Sequence, residues 1–150
     1  MNDTRKRILD ILGAIRRPGM DNVIGYLVGS TYFTAGCHGH HRYRGGLADH
    51  SLEVYDRVMA SGGGIPQESA AIASLLHDIC KAHRADSEWI HGHGRRSARI
   101  LTDICRLSMS EEERSAILLH MHPHADAIRH SRLGTAVCRA DKRSAASCGR

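Results

Sequence analysis

The pattern of apolar residues constrains the fold of this chain most, because it repeats with the period of an α-helix over nearly the whole sequence. Residues 69–80 are apolar on almost every side, which indicates a buried helix. No segment alternates with the period of two that a half-buried β-strand requires. The 150 residues are therefore predicted to form one all-α domain over 1–150, a compact bundle of six or seven helices. Other apolar repeats at helical spacing lie in segments 8–15, 47–59, 97–104 and 133–140.

Cap and turn residues predict where several helices begin. Asp3 or Thr4 is the expected N-cap of the first helix. Ser110 and Glu113 have the spacing of a capping box, which predicts a helix start at this point. The polar stretch 81–92 is predicted to be a loop between two helices.

Composition excludes several classes of protein. No stretch reaches the roughly 18 continuous apolar residues of a membrane span, and the N-terminus lacks the apolar segment of a signal peptide. The five cysteines form no CxxC pair, which excludes a zinc ribbon and favours reduced thiols over a disulfide framework. We therefore expect a cytoplasmic protein that makes no membrane contact.

The net charge of +5 comes mostly from arginine, since only Lys6, Lys81 and Lys142 among the 21 basic residues are lysines. A guanidinium group binds phosphate through parallel hydrogen bonds, so this surface suits anionic partners. The basic residues are nevertheless spread along every segment, without the interleaved aromatic residues of a single-strand groove. Specific nucleic-acid binding is not expected.

The chain has twelve histidines, all between His38 and His130, and this enrichment suggests a metal site. Helical spacing places several metal-binding side chains on inner faces, as where His50 shares a stripe with Leu47 and Val54. Because a buried carboxylate is costly unless it is paired, a divalent ion such as Fe, Mn, Zn, Co or Ni would satisfy the group. Taken alone, an inward histidine is more often a hydrogen-bonded core residue than a ligand, and an inward aspartate can simply cap a neighbouring helix. The six inward-facing candidates are His50, His77, Asp78, His93, His120 and Asp141.

Several motifs carry a resemblance to a known family. HDICK at 77–81 resembles the HD(I/L)xK signature of the HD-domain metal-dependent phosphohydrolases, and HHRYRGGLADHSLEVYDRV at 40–58 resembles their first ligand helix. HGRRSARIL at 93–101 and AILLHM at 116–121 are similar to segments of a small single-domain branch found in bacteria and phages. ADK at 140–142 resembles the closing aspartate motif. The similarity to the HD part of bacterial 3′–5′ exoribonucleases is looser.

The resemblance implies an HD fold that binds one or two divalent ions, with Fe, Mn, Ni, Co, Zn or Mg as candidates. By the same matching, His93 and His120 would complete a second metal position that Asp78 bridges to the first. The oligomeric state is left open. The metal set implied for the first position is His50, His77, Asp78 and Asp141.

The resemblance also implies an activity, the hydrolysis of a phosphomonoester or phosphodiester by metal-activated water. A small phosphorylated molecule is the expected partner, with a nucleotide favoured. Asp78 would orient the water, and Lys81 would bind a phosphate oxygen. Arg44 would contact the phosphate as well, and His40 is the best candidate for a substrate contact in the loop before the first ligand helix.

Two other function classes are retained as alternatives. Some HD proteins resemble di-iron oxygenases that act on C–H or C–P bonds, and six ligands would suit two irons. A non-catalytic nucleotide-binding or regulatory module is the other alternative, although an idle site has no physical need for a complete ligand set. The extra histidines His122 and His124 are expected at the surface or in a supporting role.

Overall fold

The computed structural model describes residues 2–82 and 92–148, so most of the loop predicted at 81–92 lies outside the described residues. The described part contains eight α-helices and no β-strand, which confirms the predicted all-α class. The count is one above the predicted six or seven helices, because the short helix α7 was not predicted. The helices are α1 (Asp3–Gly13), α2 (Met20–Gly29), α3 (Gly46–Ala60), α4 (Gln67–Leu76), α5 (His93–Arg99), α6 (Glu111–Leu118), α7 (Asp126–Arg129) and α8 (Arg132–Ser147).

Helix α4 forms the centre of the bundle. All seven residues from Ala70 to Leu76 are buried, as the uniformly apolar sequence predicts. The helix packs against α1, α3, α6 and α8. At its end the Tyr32 hydroxyl donates a 2.6 Å hydrogen bond to the Leu75 carbonyl oxygen. The next two residues, His77 and Asp78, therefore emerge in the interior of the molecule.

The N-cap of α1 is Asn2, so the prediction of Asp3 or Thr4 is wrong by one or two residues. Asn2 has an extended backbone, and its side chain accepts a hydrogen bond from the Arg5 amide at 2.8 Å. Asp3 lies instead in the first helical turn, where the helix dipole favours an acidic side chain. The Thr4 hydroxyl donates to Asp49 at 2.7 Å and so ties α1 to α3.

Helix α5 continues into a π-helical turn over Ile100–Ile104. The predicted helical segment is therefore present, but its apolar stripe is interrupted. Leu101 is fully buried, whereas Ile104 is 62% exposed. The wider π turn rotates the helix face between these two positions.

Two expectations from composition concern membranes and cysteines. Among the described helices, none combines the length and apolar character needed to cross a bilayer. All five cysteines are free thiols, as expected from their spacing.

The capping box predicted at the start of α6 is present and extends into a buried ion pair. The Ser110 hydroxyl accepts from the Glu113 amide, and the Glu113 carboxylate accepts from the Ser110 amide. The same carboxylate also accepts hydrogen bonds from Arg17 at 2.8 Å and from the Ser69 hydroxyl at 2.6 Å. Burial would raise the pKa of Glu113, but the bonds from Arg17 and Ser69 outweigh this effect and lower it. Glu113 thus joins α6 to α4 and to the chain after α1.

The substitution Glu113→Gln is expected to lower the free energy of unfolding by about 2–4 kcal/mol, because it removes the carboxylate partner of Arg17 and weakens the capping box. Urea unfolding at neutral pH measures this loss. Because folding lowers the Glu113 pKa, its stabilisation is complete above the ordinary value of about 4.5 and is lost as the pH falls further.

The control for this prediction is Glu111→Gln, which alters a carboxylate that is 82% exposed in the same helical turn. Its expected effect is below about 0.5 kcal/mol. Equal losses of stability in the two variants would contradict the assignment.

Candidate metal centre

The six residues singled out as inward-facing converge on one place from five parts of the chain. His50 is the fifth residue of α3, and His77 with Asp78 directly follows α4. His93 is the first residue of α5, His120 lies two residues after α6, and Asp141 is on α8. Four of the six side chains are almost completely buried, and those of His93 and Asp141 are only 14% exposed.

Four of these residues form a first group of ligand atoms that all lie within 4.8 Å of one another. The Nε2 atom of His50 is 2.9 Å from Oδ1 of Asp141. The Nε2 atom of His77 is 3.3 Å from Oδ2 of Asp78 and 3.5 Å from Oδ1 of Asp141. Two nitrogens and two carboxylate oxygens thus face a common centre.

The second group uses the other oxygen of Asp78. Its Oδ1 atom lies 3.4 Å from Nε2 of His120 and 3.9 Å from Nε2 of His93. The carboxylate of Asp78 therefore presents one oxygen to each group. This is the arrangement of a carboxylate that bridges two cations.

Several contacts of the two groups fit cation ligands better than hydrogen bonds. The buried Nε2 atoms of His77 and His120 and the Oδ1 atom of Asp78 have no hydrogen-bond partner among the described residues. Ligand atoms that each lie about 2.1 Å from one ion are separated by about 3–3.5 Å, close to most of the distances found here. The donor set of imidazole nitrogens and carboxylate oxygens can therefore hold a divalent ion in each group.

Backbone carbonyl groups fix the tautomers of two of the histidines. Nδ1 of His77 lies 2.7 Å from the Ser74 carbonyl oxygen, and Nδ1 of His120 lies 2.7 Å from the Ile117 carbonyl oxygen. Because a carbonyl oxygen only accepts, each ring must carry a proton on Nδ1 to form the bond. In the neutral imidazole, the lone pair is then on Nε2, which faces the metal groups.

His50 is oriented by a side chain, Ser144, in a network that the sequence analysis missed. The Ser144 hydroxyl donates to the Glu53 carboxylate at 2.6 Å and so accepts from Nδ1 of His50 at 3.0 Å. Burial lowers the pKa of His50, which favours the neutral ring. Nε2 lies 2.9 Å from the Asp141 oxygen, so that Nε2, once deprotonated, and this carboxylate would both serve as ligands of one cation.

The same network continues to the loop before α3. The carboxylate of Glu53 accepts from Nε2 of His41 at 3.0 Å, and Nδ1 of His41 lies 2.9 Å from Nδ1 of His40. One ring nitrogen from each of three histidines, His40, His41 and His50, also lies within 4.8 Å of the other two. Both ring nitrogens of His41 are engaged in hydrogen bonds, so His41 offers no free ligand atom. Sequence spacing gave no signal for this pairing, because Glu53 and His41 belong to different segments.

Two glycines allow the backbone approaches that assemble the site. A Cβ atom on Gly46 would collide with the His41 carbonyl group, and one on Gly94 would collide with the Leu118 carbonyl oxygen. Gly46 therefore lets the loop with His40 and His41 lie against the start of α3. Gly94 lets α5 pack on the end of α6, which brings His93 beside His120.

The charges of the site keep its carboxyl groups ionised. Burial alone would raise the pKa of Asp78, but Lys81 and His77 hold it well below its usual range. Burial also opposes ionisation of Asp141, yet its contacts with His50 and His77 lower the pKa of this group. Without a cation, the two carboxylates beside His77 outweigh burial and raise its pKa to about 10, so a bound ion would have to displace the Nε2 proton. Both aspartates are thus carboxylates, the form that binds cations.

A cavity of about 330 Å³ opens onto both metal groups. Lys81 lines it and donates a 2.8 Å hydrogen bond from Nζ to Oδ2 of Asp78. Lys142, which directly follows Asp141 and has no role assigned from the sequence, also lines the cavity. The other lining residues are His38, His40, His93, His120, Met121, Pro123, Cys138 and Ala145.

Other predicted or unassigned residues lie away from this cavity. Arg44 is exposed in the turn before α3 and is not among the lining residues, so its role in phosphate binding stays a prediction. His122 and His124 are exposed as well. His83 and His91 lie outside the described residues.

Comparison with protein families identifies the chain. The HD domain family matches residues 47–146, which include all six residues of the centre. The chain therefore belongs to the HD domain family, most of whose members are metal-dependent hydrolases. Comparison with curated proteins found no match, and comparison with solved structures found none either.

The substitution Ser144→Ala is expected to weaken binding of the first ion by about 10- to 100-fold, because His50 loses the partner that holds its tautomer. Titration of metal into the stripped protein measures the affinity. Ser147→Ala, which removes an exposed hydroxyl one turn further along α8, is the control and is expected to leave the affinity unchanged. An unchanged affinity in Ser144→Ala would refute the orienting role.

The substitution Gly94→Ala is expected to reduce metal binding at the second group while the first group keeps its ion, because the new Cβ forces α5 away from α6. Elemental analysis reports the metal content, and circular dichroism confirms the fold. Gly25→Ala is a suitable control, since apart from its chain neighbours and the backbone of its own helix no atom lies within 4 Å of its Cβ position in α2. Full metal content in Gly94→Ala would show that the close approach is not needed.

Proposed function

We propose that the protein is a metal-dependent hydrolase that cleaves a phosphomonoester or phosphodiester, with a nucleotide as the substrate. One observation carries this proposal. A single buried carboxylate, Asp78, presents its two oxygens to two separate histidine groups at the wall of a cavity that also contains two lysines. Such a centre pairs an anion-binding wall with the ligands of a divalent metal pair.

The residues that would hold the first ion are His50, His77, Asp78 and Asp141, and those for the second are Asp78, His93 and His120. A divalent ion bound there supplies Lewis acidity, which polarises a phosphoryl oxygen and lowers the pKa of water. Membership of the HD domain family supports this assignment.

The chain's own residues complete the proposed chemistry. A carboxylate oxygen of Asp78 accepts a hydrogen bond from the attacking water and orients it. The ammonium group of Lys81 lies beside this carboxylate, where it offsets the charge of a bound phosphate. Lys142, which also lines the cavity, supplies a second positively charged group, and His40 contacts the part of the substrate beyond the phosphate. The reaction requires no serine or cysteine nucleophile.

The form of the cavity supports a small substrate. Its volume of about 330 Å³ falls at the lower end of the range of small-molecule sites. Met121, Pro123 and Ala145 give part of its wall an apolar character that suits a sugar or a base. A nucleoside phosphate has both the anionic and the less polar part that this wall can accommodate.

The proposal is tested with purified protein that is supplied with Mn, Ni, Co, Fe or Mg and a panel of nucleoside mono-, di- and triphosphates and cyclic nucleotides. Phosphate release in at least one combination is expected. Elemental analysis of the untreated protein should give a metal-to-chain ratio near two, and a ratio near one would indicate that only the first group is occupied. A folded, metal-loaded protein without turnover on any member of the panel would refute the hydrolase.

Two variants separate metal binding from substrate binding. Asp78→Asn should lose both the metal and the activity, because it removes the charge that the two groups share. Lys81→Ala should keep the metal and lose about 10²-fold in rate, the size of effect typical for one group that stabilises transition-state charge. Loss of metal in Lys81→Ala would contradict its role as a phosphate ligand.

A further inference from the structure

A second concave region lies on the opposite side of α8 from the metal centre. It is a groove of about 600 Å³ between α8, the loop after α3 and the chain around α7. On α8, Arg132, Arg139 and Arg143 are spaced by seven and four residues and so form one stripe. Asp141 lies about half a turn away from this stripe, at 100° per residue. The groove is therefore separate from the cavity of the metal centre.

The groove is strongly basic. Five arginines line it, and none of its lining residues is acidic. Arg129 pairs with Asp126 at 3.2 Å. For the other four, no carboxylate of the described residues lies within ion-pair distance. Those four are Arg57, Arg132, Arg139 and Arg143.

The glycine-rich loop after α3 forms the opposite wall of the groove. Gly62, Gly63 and Gly64 all have positive φ angles, between 71° and 81°, which other residues rarely adopt. The Arg132 guanidinium donates a 2.9 Å hydrogen bond to the Gly63 carbonyl oxygen and so holds this loop against α8. Arg57 is held in a similar way by the Ser147 hydroxyl at 3.3 Å. The cationic wall is thus partly organised before a ligand arrives.

The five exposed guanidinium groups give this groove a positive potential that attracts anions. We propose that the groove binds a small anion with two or more phosphate groups, such as a nucleoside diphosphate or triphosphate. The guanidinium fork matches phosphate oxygens in geometry, and the stripe on α8 extends over roughly 16 Å, enough for several phosphates. Ile65 and Ala60 supply an apolar side to the groove.

The lining of the groove favours a small ligand over a nucleic-acid strand. It contains no phenylalanine, tyrosine or tryptophan on which successive bases would stack. Its volume lies within the range of small-molecule sites. This site does not depend on the proposed hydrolase activity, because it shares no residue with the metal centre.

The test uses metal-free protein in EDTA and isothermal titration with inorganic tripolyphosphate, with ADP and with a twelve-nucleotide single strand. Arg139→Ala combined with Arg143→Ala is expected to weaken binding of tripolyphosphate and ADP at least tenfold. The matched control combines Arg16→Ala with Arg99→Ala, two exposed arginines outside the groove, so that both proteins lose two charges. The control should bind within about twofold of the unaltered chain.

A third protein, Lys81→Ala, tests whether the metal cavity contributes, and binding of tripolyphosphate is expected to change less than about twofold because the cavity holds no divalent ion in EDTA. An equal loss of affinity in the control double variant would overturn the proposal, because it would show that the effect comes from the net charge of the protein and not from the groove. Loss of binding in Lys81→Ala, or no binding by the unaltered protein, would also overturn it. Tight binding of the single strand together with weak binding of ADP would contradict the proposal of a small ligand and would indicate that the groove binds nucleic acid. Circular dichroism of each variant confirms that the fold is retained.

Discussion

The carboxylate of Asp78 is the constraint around which this molecule is organised. It is only 2% exposed, and an isolated charge at such a depth would be strongly destabilising. Lys81 and the surrounding histidines offset part of that cost, and divalent ions are suited to offset the rest. Four further chain segments must reach one point to supply these partners. The arrangement of α3, α5, α6 and α8 around the end of α4 follows from this requirement.

The convergence of the candidate residues was predictable where the spacing within one helix determines the direction of a side chain. His50 lies on the apolar stripe of α3 that also carries Leu47 and Val54, so its direction could be inferred from the sequence. The HDICK motif follows a helix that is apolar on all sides, which places Asp78 in the interior. The helical periodicity of the sequence therefore predicted those residues whose direction depends on a single helix.

The features of the site and fold that helical periodicity could not predict depend on contacts between distant segments or on local backbone geometry. Ser144 orients His50 across 94 residues of chain, and nothing in the local sequence of either residue shows this. Ile104 is exposed because a π turn displaces it, although its spacing is that of a buried residue. The N-cap of α1 is Asn2 and not Asp3 or Thr4. All three adjacent residues are good cap residues, so the sequence alone could not select one of them. Each case turns on geometry that helical periodicity does not encode.

The way in which the ligands are oriented has a consequence for how freely the chain can diverge. His77 and His120 are held by main-chain carbonyl oxygens three residues earlier, groups that every amino acid provides. Replacement of Ser74 or Ile117 by another residue of suitable size would keep those bonds. His50 depends instead on the hydroxyl of Ser144, which only a few residue types can replace. Substitutions should therefore be tolerated at Ser74 and Ile117, at the ends of α4 and α6, and should be restricted at Ser144 of α8.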